Sequence, residues 1–346
     1  MTVDPYPLVL VPILKEKVWG GRSLAEYGKP LPEGRRIGES WELADLARTQ
    51  KSGGGGGEAR SRIANGPLSG STLHDAVQMW GPELLGADSA AVEFPLLVKY
   101  LDAHEHLSVQ VHPTAPYAAA HADALVKFES WFVLDAVPGA VLFAGLADGV
   151  SPNDVVTAAQ DGTVVKLLRR VPAIPGECHR LPSGTVHALG AGVVAAEIQM
   201  PSDTTFRIYD WHEEYGRTGR PLHLEAALES MRVGAAPPPR RLEHGAGAGL
   251  LVATEHFWVW QLRPERGGVT ESAGGACWRV LMVIDGSLEA RAGGGTTGTI
   301  ALARGDTALV PACLAGDLHL TATPSASVLY VGAGRQPAAA PPDRAG

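Results

Sequence analysis

Apolar and polar residues alternate along most of this 346-residue chain in short runs broken by glycine and proline. Period-two alternation with frequent turn residues is the pattern of strands. The runs 94–101 (FPLLVKYL), 107–112, 131–136, 140–144, 177–181, 193–199 and 205–210 read as strands on this ground. Residues 37–46, IGESWELADL, alternate loosely and add another. Residues 7–19, PLVLVPILKEKVW, are apolar and β-branched but hold two prolines, which predicts an edge strand or an extended arm. Two stretches have helical spacing instead. Leu73, Val77, Trp80 and Leu84, behind Ser71 or Thr72 as N-cap, predict a short helix over 72–86. Ser151-Pro152-Asn153-Asp154 opens a second through VVTAAQDGTVVKLLRRV, with Gly162 as its weak point. Beyond Gly234 the turn-rich stretch AAPPPRRLEHGAGAG interrupts the pattern, and strands resume at 250–263, 278–284, 287–292, 299–303, 307–311 and 326–331. The pattern thus predicts two all-β units, 1–235 and 250–335, and a disordered Pro/Ala-rich tail, 336–346. Short strands joined by turns favour β-barrels or jelly rolls over a βαβ fold.

Composition agrees: 42 glycines and 26 prolines demand many turns, and the length suits two domains at about 150 residues each. The net charge of −8 supplies no basic field for a nucleic-acid backbone. No apolar run is long enough to span a bilayer, and the first residues carry no basic and apolar signal pattern. Three cysteines, Cys178, Cys277 and Cys313, are odd in number and lack a CxxC spacing, so a reduced cytoplasmic protein is expected. The glycine run 53–57 has no following Lys-Ser/Thr and reads as a solvated turn rather than a phosphate loop.

Chemistry concentrates in three segments. In Leu107-Ser108-Val109-Gln110-Val111-His112-Pro113, Gln110 and His112 are two apart, so an amide oxygen and an imidazole share one strand face. Lys127-Phe128-Glu129-Ser130-Trp131 then sets a carboxylate at the head of an apolar strand. From Pro175 to His187 the chain reads as a strand, a Pro-x-Gly turn and a returning strand that aims one imidazole inward; the spacing of Gly176, Pro182, Gly184 and His187 resembles the second metal motif of cupin barrels. Two imidazoles, a carboxylate and an amide oxygen suit a borderline metal with positions left open for substrate. In the third segment Glu197 and Gln199 share a strand face, and Arg207 follows on the next strand. There it either works on an anionic substrate or makes a surface ion pair with Asp203 or Asp210. His104 and His106 lie in a polar turn and read as solvated; Cys178 and His179 read as packing or surface residues.

Together, VWGG (18–21), GESWELA (38–44), FPLLVKYLDA (94–103), LSVQVHP (107–113), KFESW (127–131), LPSGTVHALGAG (181–192) and SDTTFRIYDW (202–211) resemble the class I mannose-6-phosphate isomerases, the cupin-type phosphomannose isomerases, in their short bacterial form. The stretches come in the family's order and cover roughly residues 7–232. The resemblance implies an all-β dominated fold: two cupin (jelly-roll) β-barrels, with a few short helices in the N-terminal half. The first barrel would be catalytic. The second would be degenerate and structural, since Gly305-Asp306 and Pro311 survive without ligand histidines. It further implies one Zn2+ per chain on Gln110, His112, Glu129 and His187, a catalytic Arg207 with Asp203 nearby, and Trp19, Glu39, Lys99, Ser108, Lys127 and Glu197 at the substrate pocket.

The implied reaction interconverts mannose 6-phosphate and fructose 6-phosphate through a cis-enediol(ate), with a metal polarising the carbonyl. Arg207 would stabilise the developing oxyanion or hold the phosphate, and the carbon base stays open among Glu197, Lys99, Lys127 and a metal-bound water. Arg35, Arg36, Lys99 and Lys127 are the cations available to a phosphate. The expected partner is a small hexose 6-phosphate, with no nucleic acid or membrane, and a monomer is favoured. Two alternatives compete. A non-haem metal cupin oxygenase fits two histidines and a glutamate, although Gln110 and Arg207 argue against it. A non-catalytic sugar-phosphate sensor is the other.

Overall fold

The computed structural model describes residues 3–49, 56–264, 269–270, 277–293 and 298–334. Residues 53–55 of the glycine run and the 336–346 tail lie outside the described residues. The described chain is dominated by antiparallel strands in three large sheets and one small hairpin.

A five-stranded sheet runs in the order Leu168–Pro172, Val141–Leu146, His187–Leu189, Val109–Val111, Phe206–Tyr209. A seven-stranded sheet runs Arg240–Arg241, Glu177–Leu181, Glu129–Ala136, Val193–Gln199, Leu97–Ala103, Ile37–Leu43, Ile13–Gly21. Their facing side chains form one apolar cluster, with Leu142 and Leu189 from the first against Leu101, Trp131, Val133 and Ala195 from the second. The other face of the seven-stranded sheet is covered too. Val98, Tyr100, Phe132 and Ile198 pack there with Leu251, Val259, Val280, Met282 and Leu329 of a nine-stranded sheet. Burial on both faces explains why Leu97–Ala103 and Val193–Gln199 are buried at every position, although polar residues interrupt them. The nine-stranded sheet encloses its own core around Trp258, Leu281, Val283, Val310 and Tyr330.

Several elements differ from the pattern-based expectation. Pro12 splits residues 7–19 into Leu8–Val11 and Ile13–Gly21, which join different sheets. Leu8–Val11 pairs with Thr307–Val310, so the chain's first strand completes the sheet built by its last third. The second helix spans only Pro152–Gln160; Gly162 turns the backbone left-handed at φ 76°, a short 3-10 helix, Val164–Leu167, follows, and a strand, Leu168–Pro172, takes the rest of the run. The first helix, Leu73–Trp80, opens on Thr72 with a full capping box to Asp75 and breaks at Gly81 before a turn at Pro82–Leu85. The expected strands 278–284 and 287–292 are one strand, Arg279–Ala292, and 326–331 belongs to Leu318–Ala333. His106 is not solvated: it is half-buried, with its ring stacked 4.3 Å from Trp211 and a hydrogen bond to the Tyr215 hydroxyl. Cys178 and His179 are both buried. No helix among the described residues is long and apolar enough to cross a membrane.

Candidate metal centre and active-site cavity

The strand register lines up the chemistry. His187 pairs with Gln110, and Gln110 with Arg207, on three adjacent strands of the five-stranded sheet. His112 lies two residues past Gln110 on the same face. Across the core, Glu129 begins its strand in the seven-stranded sheet, opposite Leu181 and Gln199. The turn before His187 requires glycine at 184. Its φ is 87°, and a Cβ there would come within 2.8 Å of the Ser230 carbonyl oxygen.

His112, Glu129 and His187 are fully buried, and their ligand atoms all lie within 4.8 Å of one another. His112 Nε2 is 3.1 Å from Glu129 Oε2, and His187 Nε2 is 3.0 Å from Glu129 Oε1. Neither His112 Nε2 nor either Glu129 oxygen has a hydrogen bond of acceptable geometry, which is costly for buried polar atoms. The other ring nitrogens are occupied. His112 Nδ1 donates to Thr204 O at 3.0 Å and His187 Nδ1 to Thr185 O at 2.8 Å. That fixes the tautomer and turns both Nε2 lone pairs toward Glu129, as metal-ligating histidines are held. Burial and the Lys127 ammonium push His112 down to about 3, so it is neutral. Burial opposes ionisation of Glu129, yet the Lys127 ammonium keeps it well below the usual carboxylate range. A neutral imidazole at His112 and an ionised carboxylate at Glu129 are forms that bind a metal. The residues fit a divalent ion. Gln110 Nε2 lies 3.3 Å from His187 Nε2, so its side chain reaches the same cluster.

Gln110 and Lys127 connect this cluster to a cavity. Its wall includes Trp19, Glu39, Lys99, Ser108, Glu197, Asp203 and Arg207, so the structure gathers there each pocket residue that the family resemblance implied. Within it Lys99 lies 2.7 Å from Glu197 and donates to Gln199 Oε1 at 2.8 Å. Burial opposes its charge, but Glu197 and Glu39 hold the ammonium above the usual lysine range. Glu39 pairs with Lys17 at 3.1 Å and accepts from Trp41 Nε1 at 2.6 Å; burial would raise it, but Lys17 and Lys99 hold it at about 2. Trp131 Nε1 donates to Glu197 at 2.9 Å. Arg207 is buried rather than on the surface, its Nη1 donating to Pro221 O at 2.8 Å and its Nε 3.8 Å from Asp210.

Arg35 and Arg36 are corrections. Arg35 pairs with Glu16 on the surface, and Arg36 donates to Gly20 O and pairs with Glu105, both outside the cavity wall. Adjacent charges in a turn splay outward to water. Lys17, Trp41 and Arg220 line the wall without having been singled out from sequence. Lys17 and Trp41 had a usable signal, since each lies two residues from an expected pocket residue on its strand. Arg220 had none, because it comes from an irregular loop.

A family model for the phosphomannose isomerase type I catalytic domain matches residues 8–129. Mannose-6-phosphate isomerase ManA of Bacillus subtilis is 36% identical over 257 residues, 73% of this chain and 76% of that protein. Mannose-6-phosphate isomerase of Streptococcus mutans is 34% identical over 264 residues, 74% of this chain and 79% of that protein. The crystal structure of mannose 6-phosphate isomerase from Bacillus subtilis has a TM-score of 0.78 at 29% identity, covering 94% of this chain and 99% of the other. With the buried His–Glu–His cluster beside a cavity lined with paired charges, these similarities lead to one conclusion: the chain belongs to the type I mannose-6-phosphate isomerases and is an isomerase of that family.

Proposed function

We propose that this isomerase interconverts mannose 6-phosphate and fructose 6-phosphate through a cis-enediolate, with one zinc ion per chain held by Gln110, His112, Glu129 and His187. The observation that carries the reading is the buried cluster, its imidazoles oriented by Thr204 and Thr185 carbonyls and opening through Gln110 onto a cavity that holds Arg207. The mixed imidazole, carboxylate and amide donors favour zinc. When bound, the ion supplies a Lewis acid that polarises the substrate carbonyl.

The chain's own residues supply the rest. Arg207, one strand from Gln110, places a permanent positive charge where the enediolate oxygens develop negative charge. Lys99 is locked between Glu197 and Gln199 as a cation and is a poor base. Lys127 is paired in the same way with Glu129 at 2.8 Å, so among these side chains transfer of the proton between C1 and C2 is assigned to Glu197, on the cavity wall. Trp19 and Trp41 give that wall apolar surface that limits water. The assignment of residues 1–235 as the catalytic unit and 250–335 as a metal-free structural cupin belongs to the same proposal, as do a cytoplasmic setting, supported by three free cysteines, and a monomer.

The test is a coupled assay of the purified protein with mannose 6-phosphate and with fructose 6-phosphate, before and after chelation. Turnover in both directions should vanish with the metal and return with zinc, and His187→Ala should lose both zinc and activity. Full turnover in verified metal-free protein would overturn the metal assignment, and no turnover with zinc loaded would overturn the reaction.

A further inference from the structure

The cations on the cavity wall are partnered in two different ways. Lys17 pairs with Glu39 at 3.1 Å, Lys99 with Glu197 at 2.7 Å and Lys127 with Glu129 at 2.8 Å, so each of these lysines meets its own carboxylate. The arginine wall differs. Arg207 and Arg220 share the single carboxylate of Asp210. Arg220 takes it by its backbone N–H, donating to Oδ2 at 2.8 Å, and by Nε, donating to Oδ1 at 2.9 Å, with Nη2 closing on the same oxygen. Arg207 Nε stands 3.8 Å from Oδ1. Two guanidiniums share that one carboxylate, and Arg220 holds it the more closely. Burial and the neighbouring Arg220 push Arg207 down to about 10, as expected of a cation crowded by another.

The turn that carries Asp210 is held hard. The next residue, Trp211, has a left-handed backbone at φ 55°, which a bulky side chain adopts only where its surroundings over-determine it. Its indole Nε1 donates to Leu107 O at 2.8 Å and its ring stacks on His106, so the strained turn is anchored to the cavity wall.

We infer that Arg220 binds the phosphate of the hexose 6-phosphate at the cavity mouth, with Asp210 and Trp211 as the positioning residues that set its guanidinium. This rests on the isomerase reading above and assigns one end of its substrate. The polarity follows from the register. Arg207 is cross-strand neighbour to Gln110, about 4.8 Å away by strand spacing, and its side chain is 3% exposed. The Arg220 side chain, on the same cavity wall, is the more exposed of the two at 23%. A hexose chain with C1 and C2 at the metal cluster therefore passes Arg207 before its sixth carbon reaches Arg220. A planar guanidinium matches the phosphate oxygens with two parallel hydrogen bonds, which an ammonium cannot do.

Arg220→Gln and Arg220→Lys test this in the zinc-loaded protein. The KM for mannose 6-phosphate should rise on the order of 30-fold in Arg220→Gln, the loss of a charged hydrogen-bonding partner, while kcat falls by much less. Arg220→Lys, which keeps the charge and a partner for Asp210, should raise KM on the order of 10-fold. Calorimetry with inorganic phosphate and with glucitol 6-phosphate, neither of which turns over, should show the same order of weakening. Wild-type affinity for both anions in Arg220→Lys and Arg220→Gln overturns the assignment. So does a collapse of kcat at wild-type KM, because it would place Arg220 in the chemistry rather than at the phosphate. If the wild type binds phosphate through Arg220 but does not isomerise mannose 6-phosphate, the isomerase reading falls and the anion site stands.

Discussion

Arg207 is where a single side chain decides between chemistry and structure. A surface ion pair would contribute only about 0–1 kcal/mol and would explain no cavity. The arginine is instead buried at 3% exposure, one strand from Gln110, with Asp210 too distant at 3.8 Å for a good hydrogen bond. Its guanidinium is therefore held in place by Pro221 O, with Asp210 engaged more closely by Arg220. Arg207→Ala should lower turnover on the order of 100- to 1000-fold, and Arg207→Lys should not rescue it if the planar fork is used. Zinc stoichiometry should stay at the wild-type value in both, because Arg207 is not a ligand. Near-full turnover with zinc bound would remove Arg207 from the mechanism. At this scale the site was legible wherever strand periodicity fixed direction: Gln110 and His112 share a face by spacing alone. It was not legible at Arg220, whose place depends on a loop path set by Asp210 and Trp211, nor at Arg35 and Arg36, where charge count said nothing about direction.

The elements follow the same logic. Strands half a dozen residues long were readable as short apolar runs bounded by turn residues, even where burial on both faces erases the period of two. What pattern could not supply was continuity and partner. Nothing in the run 7–19 says that its two halves separate at Pro12 into different sheets. The apolar residues after Gly162 suit a helix as well as a strand, and pairing of Leu168–Pro172 with Val141–Leu146 decides the matter. Capping, by contrast, is local and therefore predictable. Thr72 accepts from the Asp75 backbone N–H at 3.1 Å, and Asp75 Oδ2 accepts from the Thr72 N–H at 2.8 Å. Thr72→Ala should cost about 1 kcal/mol in chemical denaturation, with turnover unaffected since Thr72 lies away from the cavity wall. A loss below about 0.3 kcal/mol would mean that packing of Leu73, Val77 and Trp80 holds this helix without its cap.

In the molecule as a whole, the seven-stranded and nine-stranded sheets are joined by more than an apolar seam. Lys29, 4% exposed, donates to Glu42 Oε2 at 2.7 Å and to Gly305 O at 2.5 Å, while its ammonium lies 4.6 Å from the Tyr100 ring centre. Ser40 Oγ donates to the other Glu42 oxygen at 2.6 Å. One buried lysine thus ties the seven-stranded sheet to the loop before Thr307–Val310, near where Leu8–Val11 crosses over to pair. No periodicity encodes such a contact between residues 29, 42 and 305, and it was not legible in the sequence. Burial raises the Glu42 carboxyl above its ordinary range even with Lys29 and Ser40 lowering it. Lys29→Met would leave that carboxylate buried without a cation, which typically costs about 3–5 kcal/mol. The folded-state pKa of Glu42 would then rise further above the unfolded value. A group shifted in that direction favours the fold when protonated, so the deficit of Lys29→Met should shrink as pH falls and grow as pH rises through the raised pKa. Adding Glu42→Gln removes the charge and should recover most of the loss and flatten its pH dependence. Urea melts of the wild type, Lys29→Met and Lys29→Met/Glu42→Gln at several pH values measure this directly. A Lys29→Met deficit under about 1 kcal/mol at neutral pH, or one that grows on acidification, would mean that the seam is held by its apolar contacts alone.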